Sequence, residues 1–206
     1  MYFLGTTDVG VLLFDLGGVL VEFSGVHDIA PLLRKKLPER EIRDRWSRCP
    51  HTAAFGLGQL SRDVFAERFV RDWGITLPPE RFLEEFRTWS RRLLPGAAEL
   101  LGSLRPRFRL AALSNSNEVH WERNSDDLGV TGLFELAISS HHVGLSKPDR
   151  AIYLLALERL GVRPGAVMFF DDVEANVRAA SALGMRAFRV DGVEGIRERL
   201  TMERLV

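Results

Sequence analysis

Four stretches carry side chains able to do chemistry, three of them directly after short apolar runs. Asp15 follows Val11-Leu12-Leu13-Phe14, Ser114-Asn115 follows Leu110-Ala111-Ala112-Leu113, and Asp171-Asp172 follows Val167-Met168-Phe169-Phe170. The fourth is Lys147, just after Gly144-Leu145-Ser146. Two adjacent aspartates at the end of a buried run are costly to bury without a cation. Each stretch alone also fits a plainer role: Asp15 as a turn initiator, Ser114-Asn115 as a helix cap, Lys147 as a surface lysine beside Pro148, and the paired acids as first-turn residues of a helix.

The elements that must position these groups are legible from periodicity. An apolar run such as Val11 to Phe14 reads as a strand buried on both faces of a parallel sheet, with Gly17-Gly18 turning the chain just beyond Asp15. The carboxyl ends of such strands are where open α/β sheets bind ligands. After Pro95, apolar runs at 110–113, 136–138, 167–170 and 187–190 alternate with helical spans, the clearest being 149–160 and 174–183. That alternation implies a parallel sheet with right-handed crossovers.

From Phe23 to Leu94 the pattern is helical, with no run resembling a buried strand. Ser61 can cap a helix in which Phe65, Phe69 and Trp73 recur every four residues. Pro79 can open another with Phe82, Phe86, Trp89 and Leu93 on one stripe. Between Cys49 and Ser61, the stretch from His51 to Leu60 reads as a glycine-containing loop able to reach a ligand through His51 and Phe55. The fold class is α/β: a Rossmann-like three-layer parallel sheet built from residues 1–22 and 95–206, with residues 23–94 inserted as a small helical cap.

Bulk properties narrow the function. At 206 residues with 46% hydrophobic content the chain can bury one core plus a small lid. Twenty-eight basic residues balance 28 acidic ones, which gives no field to attract nucleic acid or an anionic membrane. Residues 26–94 carry 14 basic and 10 acidic side chains, so the inserted segment is basic and the remainder acid-rich, an arrangement able to hold an anion and a cation together. No run is long enough to span a bilayer, the start lacks a basic secretory region, and Cys49 is the single cysteine, so a reducing cytoplasm is expected. His141-His142 read as loop residues on opposite faces, and His120 as a structural hydrogen bonder.

In order, Phe-Asp-Leu-Gly-Gly-Val-Leu, Leu-Ser-Asn, Ser-Lys-Pro-Asp, and Phe-Phe-Asp-Asp with Asn176 resemble the four motifs of the haloacid dehalogenase (HAD) superfamily. The helical insertion after the first motif is similar to the branch that includes α-D-glucose-1-phosphate phosphatases and the phosphatase domain of soluble epoxide hydrolases. The resemblance implies a phosphatase acting on a small-molecule phosphate monoester, with Asp15 as the nucleophile of an aspartyl-phosphate intermediate. It implies Mg²⁺ as cofactor, held by Asp15, the Gly17 carbonyl and Asp172, with Asp171 in support. Lys147 and Ser114 would act on the phosphoryl group together with amides near Leu16, Gly17 and Asn115, while His51 and Phe55 would reach the substrate from the cap.

One position departs from the pattern. Most phosphatases of this superfamily carry an acid/base Asp two residues after the nucleophile, where this chain has Gly17; the glucose-1-phosphate phosphatase branch is similar in this respect. Such a group is typically worth ~10²–10⁴ in rate. Two alternatives follow: a metal-independent 2-haloacid dehalogenase, against which Asp171-Asp172 argue by repelling a carboxylate substrate, and a degenerate module that binds phosphorylated ligands without turnover. Neither the physiological substrate nor the oligomeric state has a readable code.

Overall fold

Val11–Phe14 is apolar at all four positions because its sheet is covered on both faces: Leu12 and Phe14 enter one hydrophobic cluster, Val11 and Leu13 the other. The computed structural model of the chain describes residues 9–206. The start of the chain, where the absence of a secretory signal was read, lies outside the described residues. In chain order these form β1 (Val11–Phe14), β2 (Val21–Phe23), α1 (Val26–Ile29), α2 (Glu39–Ser47), α3 (Pro50–Gly56), α4 (Arg62–Trp73), α5 (Pro79–Thr88) and β3 (Ser90–Leu93). Then follow α6 (Ala97–Leu104), β4 (Arg109–Ser114), α7 (Glu118–Glu122), β5 (Leu136–Ser139), α8 (Ser140–Val143), α9 (Arg150–Leu160), β6 (Val167–Asp171), α10 (Glu174–Ala182), β7 (Arg186–Arg189) and α11 (Gly192–Met202).

Among the described residues the main sheet has the order β5-β4-β1-β6-β7, and all its pairings are parallel. Phe14 lies opposite Ala112 on β4 and Phe170 on β6, so the carboxyl ends of three adjacent strands come side by side. From β1 the chain progresses outward through β4 and β5, then returns to the other side for β6 and β7, which leaves the crevice at the end of β1. Helices α6 and α11 cover one face through Leu100, Leu101, Leu104, Ile196 and Leu200. Helices α9 and α10 cover the other through Ile152, Tyr153, Ala156, Leu160 and Ala180.

Helices α2 to α5 pack around an aromatic cluster in which Phe55 stacks on Phe65 at 4.3 Å and Phe69 on Trp73 at 4.8 Å between ring centroids. The expected cap at Ser61 forms, its hydroxyl accepting from the Val64 amide at 3.4 Å, and α9 is capped by Asp149, which accepts from the Ala151 amide at 2.9 Å. This helical lobe is fastened to the sheet by α7. Its Val119 enters the aromatic cluster, its His120 ring donates to the Phe86 carbonyl at 2.7 Å, and its Glu118 and Glu122 both meet Arg62 at 2.5 Å.

Three expectations are corrected. The segment from Phe23 to Leu94 is not wholly helical: β3 pairs antiparallel with β2, and Leu93 lies in that ribbon rather than on the stripe of α5. Ser90 is buried and Arg91 and Arg92 are exposed, so β3 carries no apolar run to announce it. The stretch from His51 to Leu60 is not a loop throughout, because Pro50 opens α3 and carries it to Gly56. His141 and His142 lie on the short helix α8 with ring centroids 4.0 Å apart, since consecutive helical residues diverge by about 100° and not the 180° of a strand.

Candidate active site

The Asp15 amide donates to the Phe170 carbonyl at 2.9 Å, which continues the sheet by one residue and fixes the carboxylate between β4 and β6. Lys147, buried, sets its Nζ 2.8 Å from Asp15 Oδ1 and 2.7 Å from Asp171 Oδ2. Asn115 holds the lysine's backbone from both sides, its Nδ2 donating to the Lys147 carbonyl and its Oδ1 accepting from the Lys147 amide, each at 2.8 Å. The remaining capacity of Asp171 is filled by the Val173 amide at 2.8 Å and by Asn176 Nδ2 at 3.0 and 3.1 Å. Asp171 is thereby a buried anchor for the ammonium, and Asn115 a clamp on its chain.

Burial raises the Asp15 carboxyl to a pKa of about 6, the Lys147 ammonium opposing and the Asp171 charge adding to the rise. Burial pushes the Lys147 ammonium the other way, but its two carboxylate partners more than offset this and its net shift is upward. The proton of this buried pair therefore stays on lysine. Asp172, half-buried, is also raised, by burial and by the charge of Asp171. Three carboxylates thus share one ammonium. The candidate ligand atoms of Asp15, Asp171 and Asp172 lie within 4.8 Å of one another, so an oxygen-rich, under-compensated site fits a hard divalent cation.

The glycine turn shapes the approach. Gly18 has φ +77°, and a Cβ there would lie 2.6 Å from Asp172 Oδ2, so the bare backbone is what lets the Asp172 carboxylate close over the turn. Gly17 is different: its backbone lies outside the left-handed region, and a Cβ would meet only the Phe23 Cβ at 3.7 Å. The Leu16 side chain is buried in the core, and its amide bonds the Asp15 carboxylate.

A cavity of about 550 Å³ opens over these groups. Asp15, Gly17, Ser114, Asn115, Lys147 and Asp172 all line it. The helical lobe contributes Cys49, just before α3, and one face of α3, Thr52, Ala53 and Gly56, at the helical spacing of three and four. The two lobe residues expected there sit elsewhere. Phe55 is on the opposite face of α3, 2% exposed within the aromatic cluster. His51 lines a separate cavity and pairs with Asp72 at 2.7 Å. His120 does line the main cavity, but both ring nitrogens are occupied: Nε2 donates to Phe86 and Nδ1 accepts from Asn117 Nδ2 at 3.0 Å. Burial lowers its pKa to about 4 and keeps it neutral. The lobe's basic surplus also stays outside the cavity, with Arg62, Arg91 and Arg92 paired to Glu118, Asp28 and Glu22.

A model of the haloacid dehalogenase-like hydrolase family matches residues 9–184. The chain belongs to this family. Among curated proteins it is similar to a phosphoglycolate phosphatase of Aquifex aeolicus, 27% identical over 179 residues that cover 85% of this chain and 82% of that protein. It is also 24% identical to the mouse acyl-CoA dehydrogenase family member 10 over 89% of its own length, but spans only 18% of that relative. Among solved structures, a HAD family enzyme from Bacteroides thetaiotaomicron in complex with magnesium and inorganic phosphate matches with a TM-score of 0.75 at 20% identity, over 88% of this chain and 94% of that one. That likeness is one of fold.

Two further cavity residues of this HAD-like hydrolase lie outside the expected set, and of these only Ser140 is marked in the sequence, just beyond the apolar run 136–138. Ser140 is buried where the lobe meets the sheet: its Oγ accepts from the Ser116 amide at 3.0 Å and lies 2.6 Å from the Gly56 carbonyl. Asn124 lies in a run, Arg-Asn-Ser-Asp-Asp, whose composition suggests a turn. In the structure that run is a π-helical extension of α7, and it turns Asn124 inward.

Proposed function

We propose that the chain is a Mg²⁺-dependent phosphatase that hydrolyses a small phosphate monoester through an aspartyl-phosphate on Asp15, and that it belongs with the branch typified by α-D-glucose-1-phosphate phosphatases. The observation that carries the reading is the Lys147 ammonium bridging Asp15 and Asp171 at the end of the central strand, with Asp172 across the Gly17-Gly18 turn. The phosphatase-named relative supports the same class. Residues 1–22 and 95–206 form the core in this reading, and residues 23–94 the cap that closes the cavity.

Lys147 holds Oδ1 of Asp15 and keeps the carboxylate ionised, so its other oxygen can attack phosphorus. The new O–P bond forms as the bond to the leaving oxygen breaks; water then attacks the same phosphorus and returns Asp15 as carboxylate with release of phosphate. Gly17, Ser114 and Asn115 line the cavity, and in this reading the Ser114 hydroxyl and the amides of Gly17 and Asn115 would bind the phosphoryl oxygens. Asp15, the Gly17 carbonyl and Asp172 would hold Mg²⁺, whose charge offsets that of the phosphate dianion facing Asp15. With His51 remote and His120 neutral and doubly bonded, the leaving oxygen takes its proton from water or from the substrate's phosphate.

The test is hydrolysis of p-nitrophenyl phosphate with added Mg²⁺ and with chelator, in wild type and Asp15→Asn. Mg²⁺-dependent turnover that disappears in the variant is expected. Turnover of the folded variant within about tenfold of wild type overturns covalent catalysis, activity that survives chelation overturns the metal requirement, and a wild type inert towards every ester points to the phospho-ligand-binding alternative.

A further inference from the structure

Much of the cavity lining is accounted for by the machinery above; Asn124 and Ser90 are not. They come from the π-helical turn Arg123–Asp127 and from β3 of the β2–β3 ribbon. Asn124 is only 5% exposed, and its Oδ1 accepts from Ser90 Oγ at 2.5 Å. Arg123 Nε in turn donates to the Ser90 carbonyl at 3.3 Å, so the orientation of Ser90 is itself fixed. With Oδ1 engaged, the amide's donor end, Nδ2, has no protein partner among the described residues, and Asn124 lines the cavity. An amide donor on a buried residue, held in place by its own acceptor end and left open on the cavity side, is built to receive an acceptor from a ligand. A π-turn, which costs hydrogen-bond geometry, is frequent where a helix must place one residue at a functional site.

The charge of the same cavity limits what that ligand carries. Among the described residues its only cationic side chain is Lys147, spent on Asp15 and Asp171, and its histidine is held neutral. Asp15 and Asp172 add negative charge. A leaving group with its own carboxylate or second phosphate would enter a cavity whose lining has no cationic side chain left to pair it. The remaining lining combines small hydroxyls and amides with the aromatic faces of Trp46 and Phe23, which suits a neutral group with both hydroxyls and C–H surface.

We propose that Asn124 is a specificity-determining residue, its Nδ2 donating to a hydroxyl of an uncharged polyol leaving group, and that the cavity discriminates against phosphate esters whose leaving group is itself anionic. The inference rests on the phosphatase reading and goes beyond it by assigning the discrimination to named residues.

The experiment compares kcat/KM of the Mg²⁺-loaded protein on glycerol 3-phosphate and hexose monophosphates, on 2-phosphoglycolate, O-phosphoserine and fructose 1,6-bisphosphate, and on p-nitrophenyl phosphate as a reference with no hydroxyl to read. A neutral polyol ester is expected to lead the anionic ones. Asn124→Ala removes the donor, and Asn124→Asp keeps the acceptor for Ser90 while replacing the donor. In both, the ratio of kcat/KM on the best polyol ester to that on the aryl ester should fall roughly tenfold, the loss expected for one buried hydrogen bond. Melting curves and the aryl rate establish that each variant is folded, and the isosteric Asn124→Asp serves if Asn124→Ala is not. An anionic ester that matches or exceeds every polyol ester overturns the proposal, as does an unchanged ratio in a folded variant. Failure to hydrolyse even the aryl ester would instead overturn the phosphatase reading, and this inference with it.

Discussion

Gly17→Asp restores a carboxyl where most relatives in this superfamily carry their acid/base, and the structure says the site can receive it. The backbone there is outside the left-handed region, and the nearest obstacle to a Cβ is Phe23 Cβ at 3.7 Å, an ordinary contact. The cost should stay below ~1 kcal/mol, which for a chain of this size is a melting shift within about 4 °C. Gly18→Ala is the contrasting control: its φ of +77° strains any side chain, and the new Cβ would lie 2.6 Å from Asp172 Oδ2. That variant should lose ~1 kcal/mol or more and displace a proposed metal ligand, lowering all activity. In Gly17→Asp the neighbouring charges of Asp15 and Asp172 favour the protonated form of the new carboxyl, which suits a proton donor. A well-placed general acid is worth ~10²–10⁴, so even a tenth of the lower bound gives ~10-fold. A nitrophenolate leaves without a proton and an alkoxide does not, so the ratio of kcat on an alkyl or sugar phosphate to kcat on p-nitrophenyl phosphate should rise by about tenfold or more. Both rates are measured on both proteins, with melting temperature alongside. A well-folded variant whose ratio does not move refutes the reasoning that the missing carboxyl limits turnover.

Asp172→Ala should weaken Mg²⁺ binding by calorimetry by at least the ~10–100-fold that loss of a supporting residue costs, with activity partly restored at high metal; an unchanged isotherm removes Asp172 from the ligand set. His120, with a folded pKa of about 4 against an ordinary 6.5, makes stability depend on acid. The unfolded chain takes up the proton first, so this stability is complete above pH 6.5 and is lost as pH falls towards 4, by up to ~3 kcal/mol at ~1.4 kcal/mol per pH unit. His120→Gln, which can keep both hydrogen bonds, should flatten that part of a denaturation-versus-pH curve, and an unchanged slope assigns the acid loss to other groups. Phe55→Ala should act on stability, opening a void in the lobe's aromatic cluster at ~3–5 kcal/mol, and a melting temperature near wild type would mean that Phe55 is not packed as described.

The sheet strands and the groups at their ends are legible in the chain because a parallel sheet covered on both faces must be built from continuous apolar runs, and a run that stops at Asp15, Ser114 or Asp171 announces a polar group at a strand end. The aromatic repeat of α4 and the caps at Ser61 and Asp149 are local in the same sense, since helix periodicity and capping involve only residues within a turn of one another. The order of the strands is not local. That Asp15 stands between Ser114 and Asp171, and that Lys147 joins Asp15 to Asp171, follows from β1 lying between β4 and β6, a pairing across more than 90 residues in each direction.

The lobe shows where local reading stops. Residues 51–60 contain glycines and polar groups, and the sequence marks the stretch as important without saying how α3 is rotated. Its packing against Phe65 turns Phe55 inward and leaves Thr52, Ala53 and Gly56 towards the cavity, because a helix buries its largest apolar side chain whatever that side chain could offer a ligand. β3 has no mark in the sequence because a two-stranded ribbon half in solvent needs no apolar run, and Asn124 has none because its position depends on one wider turn of helix. Chemistry carried by residue type at strand ends was therefore set by the sequence itself, whereas the faces that meet a substrate were decided by tertiary packing, which alone selects which side of each helix is turned towards the cavity.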